Sequence, residues 1–489
     1  MIVPRKTFAA AGVFVLSALP IVAQTAAVPA DKQSRLERIE SCMLPPVEVK
    51  GEPVLCSTLA KRMAELHVPG VSIAIVHHGI IETAKGYGVA QLGGEPVSID
   101  TLFQAGSISK PVAAMAALHQ VQMGKLSLDA DVNKALKTWK IPESSAAPGA
   151  VVTLRELLTH TAGFTVHGFP GYAATDPVPT LVQVLNGQKP ANTPPIRLES
   201  VPGSTWNYSG GGYTVMQQAL LDVTGLPFPE LLRSTVLSPI GMTHSTYQQP
   251  LPAALRPSAA TPYESDGAAV AGGAHTYPEM AAAGLWTTPS DLARYIVENQ
   301  RSLQGKANHV LTQGLTEAML TPGKGNWGLG VEIGGSASNP YFTHGGVNEG
   351  FQSEFVGYEK NGEGAAIMTN SANGLQLVGE LMRSIAVAYD WPDFQPSIRT
   401  AVKVDRALLA RYVGTYELGP NFSIVYSLEG DQLMTQATGQ PKFPVYAESD
   451  TKFFLKIVDA EVEFVSDGTG RVTGAIFHQN GREFRGTRK

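Results

Sequence analysis

A chain of 489 residues with 50 Gly, 34 Pro, 43% apolar and 16% charged residues is too long for one simple core and too apolar for disorder. It reads as a loop-rich globular protein of more than one domain. The 37 basic and 42 acidic residues leave a net charge of -5 without a long basic run, which excludes nucleic acid as an expected partner.

The chain opens with Arg5 and Lys6 ahead of an apolar segment that ends in small residues. That order predicts a secretory signal peptide over residues 1–27 and a periplasmic or secreted mature chain, with no stable membrane insertion after the signal is removed. Cys42 and Cys56 follow it. In an oxidising compartment they can close the N-terminal arm into one loop, and the alternative is two buried free thiols.

VPGVSIAIVHHGIIETAKGYGVAQ (68–91) is β-branched and apolar, punctuated by glycine, and predicts two strands joined at His78-Gly79. From Ser109 to about Met123 the spacing of Val112, Ala113, Ala116, Ala117 and Val121 predicts a buried helix, with Pro111 close enough to its start to be harmless. Further helices are expected at 154–160, 213–223 and 291–299, separated by Gly/Pro-rich connections at 163–205 and 248–284. Past WPDFQPSIRT (391–400) come short alternating runs such as YVGTYEL, FSIVYSL, KFFLKIV, VEFVS and GAIFHQN, which predict a small all-β domain, a barrel in form.

Ser107 and Lys110 stand at the head of the buried helix, in GSISK. Three residues apart on one face, a lysine in a partly dry pocket can lose its proton and take the serine's. The helix N-terminus offers backbone N–H groups to a developing oxyanion. Ser449 and Lys452 repeat the spacing, but AESDTKFF reads as a turn entering a strand and lends none of this support. The chain has no G-x-S-x-G elbow, H-E-x-x-H, Walker A loop or strand-linked G-x-G-x-x-G. His77-His78 and the pair His160 and His167 read as turn or core histidines, and neither a metal nor an organic cofactor is expected.

GSISKPVAA (106–114) resembles the first active-site motif of the serine β-lactamase and penicillin-binding protein superfamily. The branch in question holds class C β-lactamases, D-aminopeptidases, D,D-carboxypeptidases and esterases, a peptidase family S12-like group. GKLSLDADV, LLTHTAGF, WNYSGGGYTVMQQAL, IGMTHS, AAGLWTTPSDLARY, WGLGVEI and HGGVNEGFQSEF continue the resemblance in order, over roughly residues 55–390. It implies an α+β, beta-lactamase-like fold: an antiparallel sheet flanked by helices, plus an all-helical subdomain. The implied domains are 28–395 for the serine hydrolase and 396–489 for a lipocalin-like β barrel.

By the same resemblance Ser107 is the nucleophile, Lys110 its helper, Tyr208 the proton relay and His344 the head of a His-x-Gly third motif with Gly345 and Gly346. The oxyanion hole is expected from the backbone N–H groups of Ser107 and Val347. Gly210 stands where the family has asparagine, which counts against efficient β-lactam hydrolysis, and Tyr172 and Trp286 are expected to line the substrate pocket. A neutral His344 in place of lysine weakens recognition of a substrate carboxylate.

The implied activity is cleavage of amide or peptide bonds, including peptides with D- or non-standard residues, through a Ser-Lys-Tyr acyl-enzyme. Alternatives are a carboxylesterase, a weak β-lactamase, or a penicillin-binding sensor without turnover. The expected partners are small peptide, amide or ester substrates, and the chain can also form a homo-oligomer.

Overall fold

A computed structural model describes residues 30–54, 56–479 and 482–489; the expected signal peptide lies outside them. The centre of the larger unit is a six-stranded antiparallel sheet. In spatial order its strands are Ile80–Gly88, Gly70–His77, Gly364–Thr369, Phe351–Tyr358, Asn339–Asn348 and Glu332–Ser336. The two strands expected around His78-Gly79 form its first hairpin.

Both faces of this sheet are covered, so its inner strands read as continuous apolar runs rather than alternations. On Gly70–His77, Val71, Ile73 and Ile75 pack on one side with Leu377, Leu381 and Ile385 of the helix Gly374–Ala388. Ala74 and Val76 point the other way, into a larger core with Leu292 and Ile296 of the helix Pro289–Leu303. The helix Ser109–Gln122 lies in this second core and is buried nearly all round, as its alanine-rich, weakly amphipathic sequence requires. Helices also form at Leu154–Leu158, capped by a Thr153/Glu156 box, and at Gly210–Thr224, capped by Ser209. The expected connections at 163–205 and 248–284 are largely irregular, with one short helix, Leu181–Asn186, in the first.

Cys42 and Cys56 are bonded, with their Cα atoms 4.9 Å apart. This fastens the arm that carries the strand Val47–Val49, which pairs in parallel with Ser397–Arg399.

The C-terminal unit is a nine-stranded antiparallel sheet whose two edge strands are Phe443–Pro444 and Tyr446–Ala447. Only Val445 separates them in the chain, so the sheet curls until its edges nearly meet, a nearly closed barrel. Tyr416, Tyr426, Phe453 and Phe464 fill its interior, and the helix Arg406–Tyr412 adds Leu409 and Tyr412 to the same core. That helix takes the first residue of the run YVGTYEL, and the strand begins at Gly414. The barrel meets the rest of the chain through Phe454 against Val47 and Val49, a Lys456–Glu52 ion pair at 2.6 Å, and Arg399 with Asp459 at 2.9 Å.

Candidate active site

A short turn, Gly106–Ile108, delivers Ser107 to the head of the central helix. Gly106 has φ 52°, and a Cβ there would lie 2.5 Å from the Val347 nitrogen, so only glycine lets this turn approach the strand Asn339–Asn348. Ser109 locks the turn: its hydroxyl donates to Gly106 O at 2.6 Å and accepts from the Leu285 N–H at 2.9 Å.

Lys110 is buried, and its Nζ donates to Ser107 Oγ at 2.9 Å and to the Ala282 carbonyl at 2.8 Å. Among the described residues no carboxylate pairs with it, so burial pushes its pKa down to about 7 and makes it a proton acceptor at neutral pH. The face of Tyr208 lies 5.0 Å from Nζ. Burial raises the Tyr208 phenol well above its usual range, while the Ser107 hydroxyl beside it works in the opposite direction.

His344 is buried, with its ring centroid 6.2 Å from that of Tyr208. Its Nδ1 meets Gly345 O, a pure acceptor, so the proton sits on Nδ1 and Nε2 presents a lone pair that has no partner. Burial and then the Lys110 charge depress its pKa to about 3, so the ring is neutral.

Counting back from the hairpin pair Asn348–Phe351, Val347 falls in a pair with Gln352 that exchanges no ladder hydrogen bonds. Its N–H therefore points to the strand's other side, where pairing with Glu332–Ser336 ends at Thr343. That leaves an unclaimed donor beside the Ser107 turn.

The structure thus brings together Ser107, Lys110, Tyr208, His344 and Val347, and it separates Ser449 from them. Ser449 Oγ accepts from the Lys452 backbone N–H at 3.1 Å, a turn contact, while Lys452 Nζ reaches toward Glu463.

The pocket-lining expectation for two residues is corrected. Tyr172 and Trp286 are packed away, 2% and 3% exposed. Tyr172 exchanges backbone hydrogen bonds with Thr276, and Trp286 lines a separate cleft of about 450 Å³ that includes none of Ser107, Lys110, Tyr208 or His344. Gly346 is needed for close approach within the chain, since a Cβ there would fall 1.9 Å from Ala105 O, whereas the space beside Gly345 is open. Gly210 is glycine because Phe169 fills the place of a side chain, its ring 2.9 Å from a would-be Cβ.

One participant was missed. His160, read as a turn or core histidine, accepts the Ser209 N–H on Nδ1 at 3.1 Å, and its carbonyl accepts the Asn207 N–H at 2.8 Å. It thereby holds the backbone on both sides of Tyr208, with its ring 4.2 Å from the tyrosine ring. Trp206 and Trp327 complete this aromatic wall.

The two-unit fold matches what the comparisons find. The Beta-lactamase family model matches residues 56–390, and the chain belongs to that family. A domain of unknown function, DUF3471, matches residues 399–488.

Among relatives, the chain is 21% identical to penicillin-binding protein 4* of Bacillus subtilis over 464 residues, covering 87% of this chain and 96% of that one. It is 26% identical to the putative penicillin-binding protein PbpX of the same organism, covering 67% and 76%. It is 29% identical to the esterase EstB of Burkholderia gladioli, covering 37% and 47%. The fold is shared with the octameric penicillin-binding protein homologue from Pyrococcus abyssi, with TM-score 0.59, 21% identity, and coverage of 87% and 98%. It is also shared with the D-alanine carboxypeptidase AmpC from Burkholderia cenocepacia, with TM-score 0.52, 23% identity, and coverage of 66% and 95%.

Proposed function

We propose that the chain is a secreted or periplasmic serine hydrolase that cleaves amide or peptide bonds through an acyl-enzyme on Ser107. The observation that carries this reading is the buried Lys110 amine, unpaired with any carboxylate among the described residues and hydrogen-bonded to Ser107 Oγ at 2.9 Å. In its neutral form Lys110 takes the serine proton as Oγ attacks the substrate carbonyl. The N–H groups of Ser107 and Val347 receive the resulting oxyanion. Tyr208 passes a proton to the leaving nitrogen, and water releases the acyl group by the reverse relay.

A neutral, buried His344 cannot neutralise a carboxylate. It therefore suits a substrate that carries no carboxylate needing neutralisation near the scissile bond. Esterase activity is the second reading, favoured by the resemblance to EstB over part of the chain. In this reading residues 28–395 form the hydrolase and 396–489 an appended barrel, and the octameric homologue makes self-association worth measuring.

The test is turnover of a D-alanyl anilide, a carboxyl-terminated D-Ala-D-Ala peptide, a short-chain p-nitrophenyl ester and a chromogenic cephalosporin, each with and without Ser107→Ala. Anilide turnover that depends on Ser107 and exceeds that of the carboxyl-terminated peptide supports the reading. Turnover of the ester alone replaces it with the esterase.

A further inference from the structure

At the end of the catalytic sheet away from Ser107, two turns converge on one buried carboxylate. Matched pairs place Val71, Thr369, Gln352 and Val347 at the active-site end, and Val76, Gly364, Gly357 and Phe342 at the other. The ends are about 17 Å apart at the strand rise of ~3.3 Å per residue. At the far end the hairpin residues His77 and His78 meet Glu363.

Adjacent residues in a strand point to opposite faces. His78 instead takes a left-handed backbone, φ 53°, and folds its ring onto that of His77, with centroids 3.8 Å apart. Both Nδ1 atoms then approach the same oxygen, Glu363 Oε1, at 2.8 Å from His77 and 3.7 Å from His78. The second carboxylate oxygen is taken by the Trp391 indole N–H at 3.2 Å, which leaves Oε1 turned to the histidine pair. Gly79 N–H donates to Gly362 O at 2.8 Å and holds the two turns together. The His77–Glu363 hydrogen bond holds one histidine, and the His78 backbone N–H donates to the same Oε1 at 3.4 Å, while the His78 ring stays 76% exposed with its Nδ1 turned toward that oxygen.

We infer that His77, His78 and Glu363 form a binding site for a zinc-like divalent transition metal, against the sequence expectation that the chain carries no metal site. Zinc bonds of ~2.0–2.2 Å to nitrogen and oxygen set tetrahedral ligand atoms about 3.4 Å apart, between the two distances observed. Exposure of His78 leaves the fourth position to water. Arg301, Lys306 and Lys360 share the cleft with His78, so a site with one carboxylate repels hard cations held by charge alone. An ion that bonds to imidazole tolerates that setting. The metal's place in the fold is to cross-link the hairpin at 77–79 to the turn at 362–363, away from the acyl chemistry.

The test is calorimetric titration of the chelator-treated full chain, carrying no histidine tag, with zinc chloride and with magnesium chloride. His78→Ala and Glu363→Gln are titrated beside it. Binding of zinc at one per chain, no heat from magnesium, and at least a tenfold weaker zinc affinity in His78→Ala are expected. Because His78→Ala keeps the His77–Glu363 hydrogen bond, its metal-free thermal midpoint should match the wild type even if Glu363→Gln does not fold. Wild-type chain that takes up no zinc, or His78→Ala that binds it as tightly, overturns the site.

Discussion

Replacing Lys110 with methionine should abolish the chemistry and remove the stability cost of a buried lysine. Depressing a lysine from 10.5 to about 7 corresponds to about 5 kcal/mol against the charged form, at ~1.4 kcal/mol per pKa unit. Methionine fills similar volume without that cost. The variant loses hydrogen bonds to Ser107 Oγ and Ala282 O, and orphaning these acceptors costs ~1–3 kcal/mol each, so the net change near pH 7 lies between a loss of about 1 and a gain of about 3 kcal/mol.

The sharper signature is the pH dependence. Between the folded value near 7 and the unfolded value near 10.5 the unfolded chain binds the extra proton, so wild-type stability climbs with pH by ~1.4 kcal/mol per unit. Lys110→Met lacks that slope, so from pH 7.5 to 9.5 the wild type should gain about 2.7 kcal/mol relative to the variant. Urea unfolding followed by tryptophan fluorescence isolates the relevant unit, because all five tryptophans, 139, 206, 286, 327 and 391, precede the barrel. A stability difference that stays flat across this range would show that Lys110 titrates normally and would remove the basis for its role. The same depression predicts that acylation rises with pH to a plateau, with a midpoint near 7.

His160→Ala should lower kcat by about 100-fold through misplacement of Tyr208, with little change in KM, and His160→Asn, which keeps an acceptor for the Ser209 N–H, should recover much of it. Gly345→Ala should be tolerated, whereas Gly346→Ala drives a methyl into Ala105 O and should cost at least the ~1–3 kcal/mol of ordinary overpacking, read as a lowered thermal midpoint. Gly210→Asn alone should be destabilised by about 1–3 kcal/mol because Phe169 occupies the space. If the missing amide limits β-lactam turnover, nitrocefin hydrolysis should rise only when Phe169→Ala accompanies it.

What the sequence disclosed followed from distance along the chain. Ser107 and Lys110 are one turn apart, so their pairing could be read from spacing and an apolar run alone. Tyr208 and His344 needed the resemblance, because nothing local marks a tyrosine in a glycine-rich turn or a histidine in a strand.

His160 escaped notice since its partners are the backbone atoms of residues 207 and 209, which carry no side-chain signal. Phe169 escaped for a similar reason: its role is to occupy a volume that only the folded loop defines. Tyr172 and Trp286 misled because large aromatics suit a pocket wall and a packed interior equally well, and here packing claimed both. The helix Gly374–Ala388 was not anticipated, although Leu377, Leu381 and Ile385 carry the helical period that buries it on the sheet. In the barrel, alternation exposed most strands but could not show that Phe443–Pro444 and Tyr446–Ala447 would serve as its two edges.

The most direct test of the central claim is intact-mass spectrometry of the chain treated with a fluorophosphonate, followed by peptide mapping, with Ser107→Ala and Ser449→Ala in parallel. One adduct per chain on the peptide that holds Ser107, retained in Ser449→Ala and lost in Ser107→Ala, is the predicted result. Labelling that survives in Ser107→Ala, or an adduct mapped to any other serine, would contradict the assignment of Ser107 as the nucleophile.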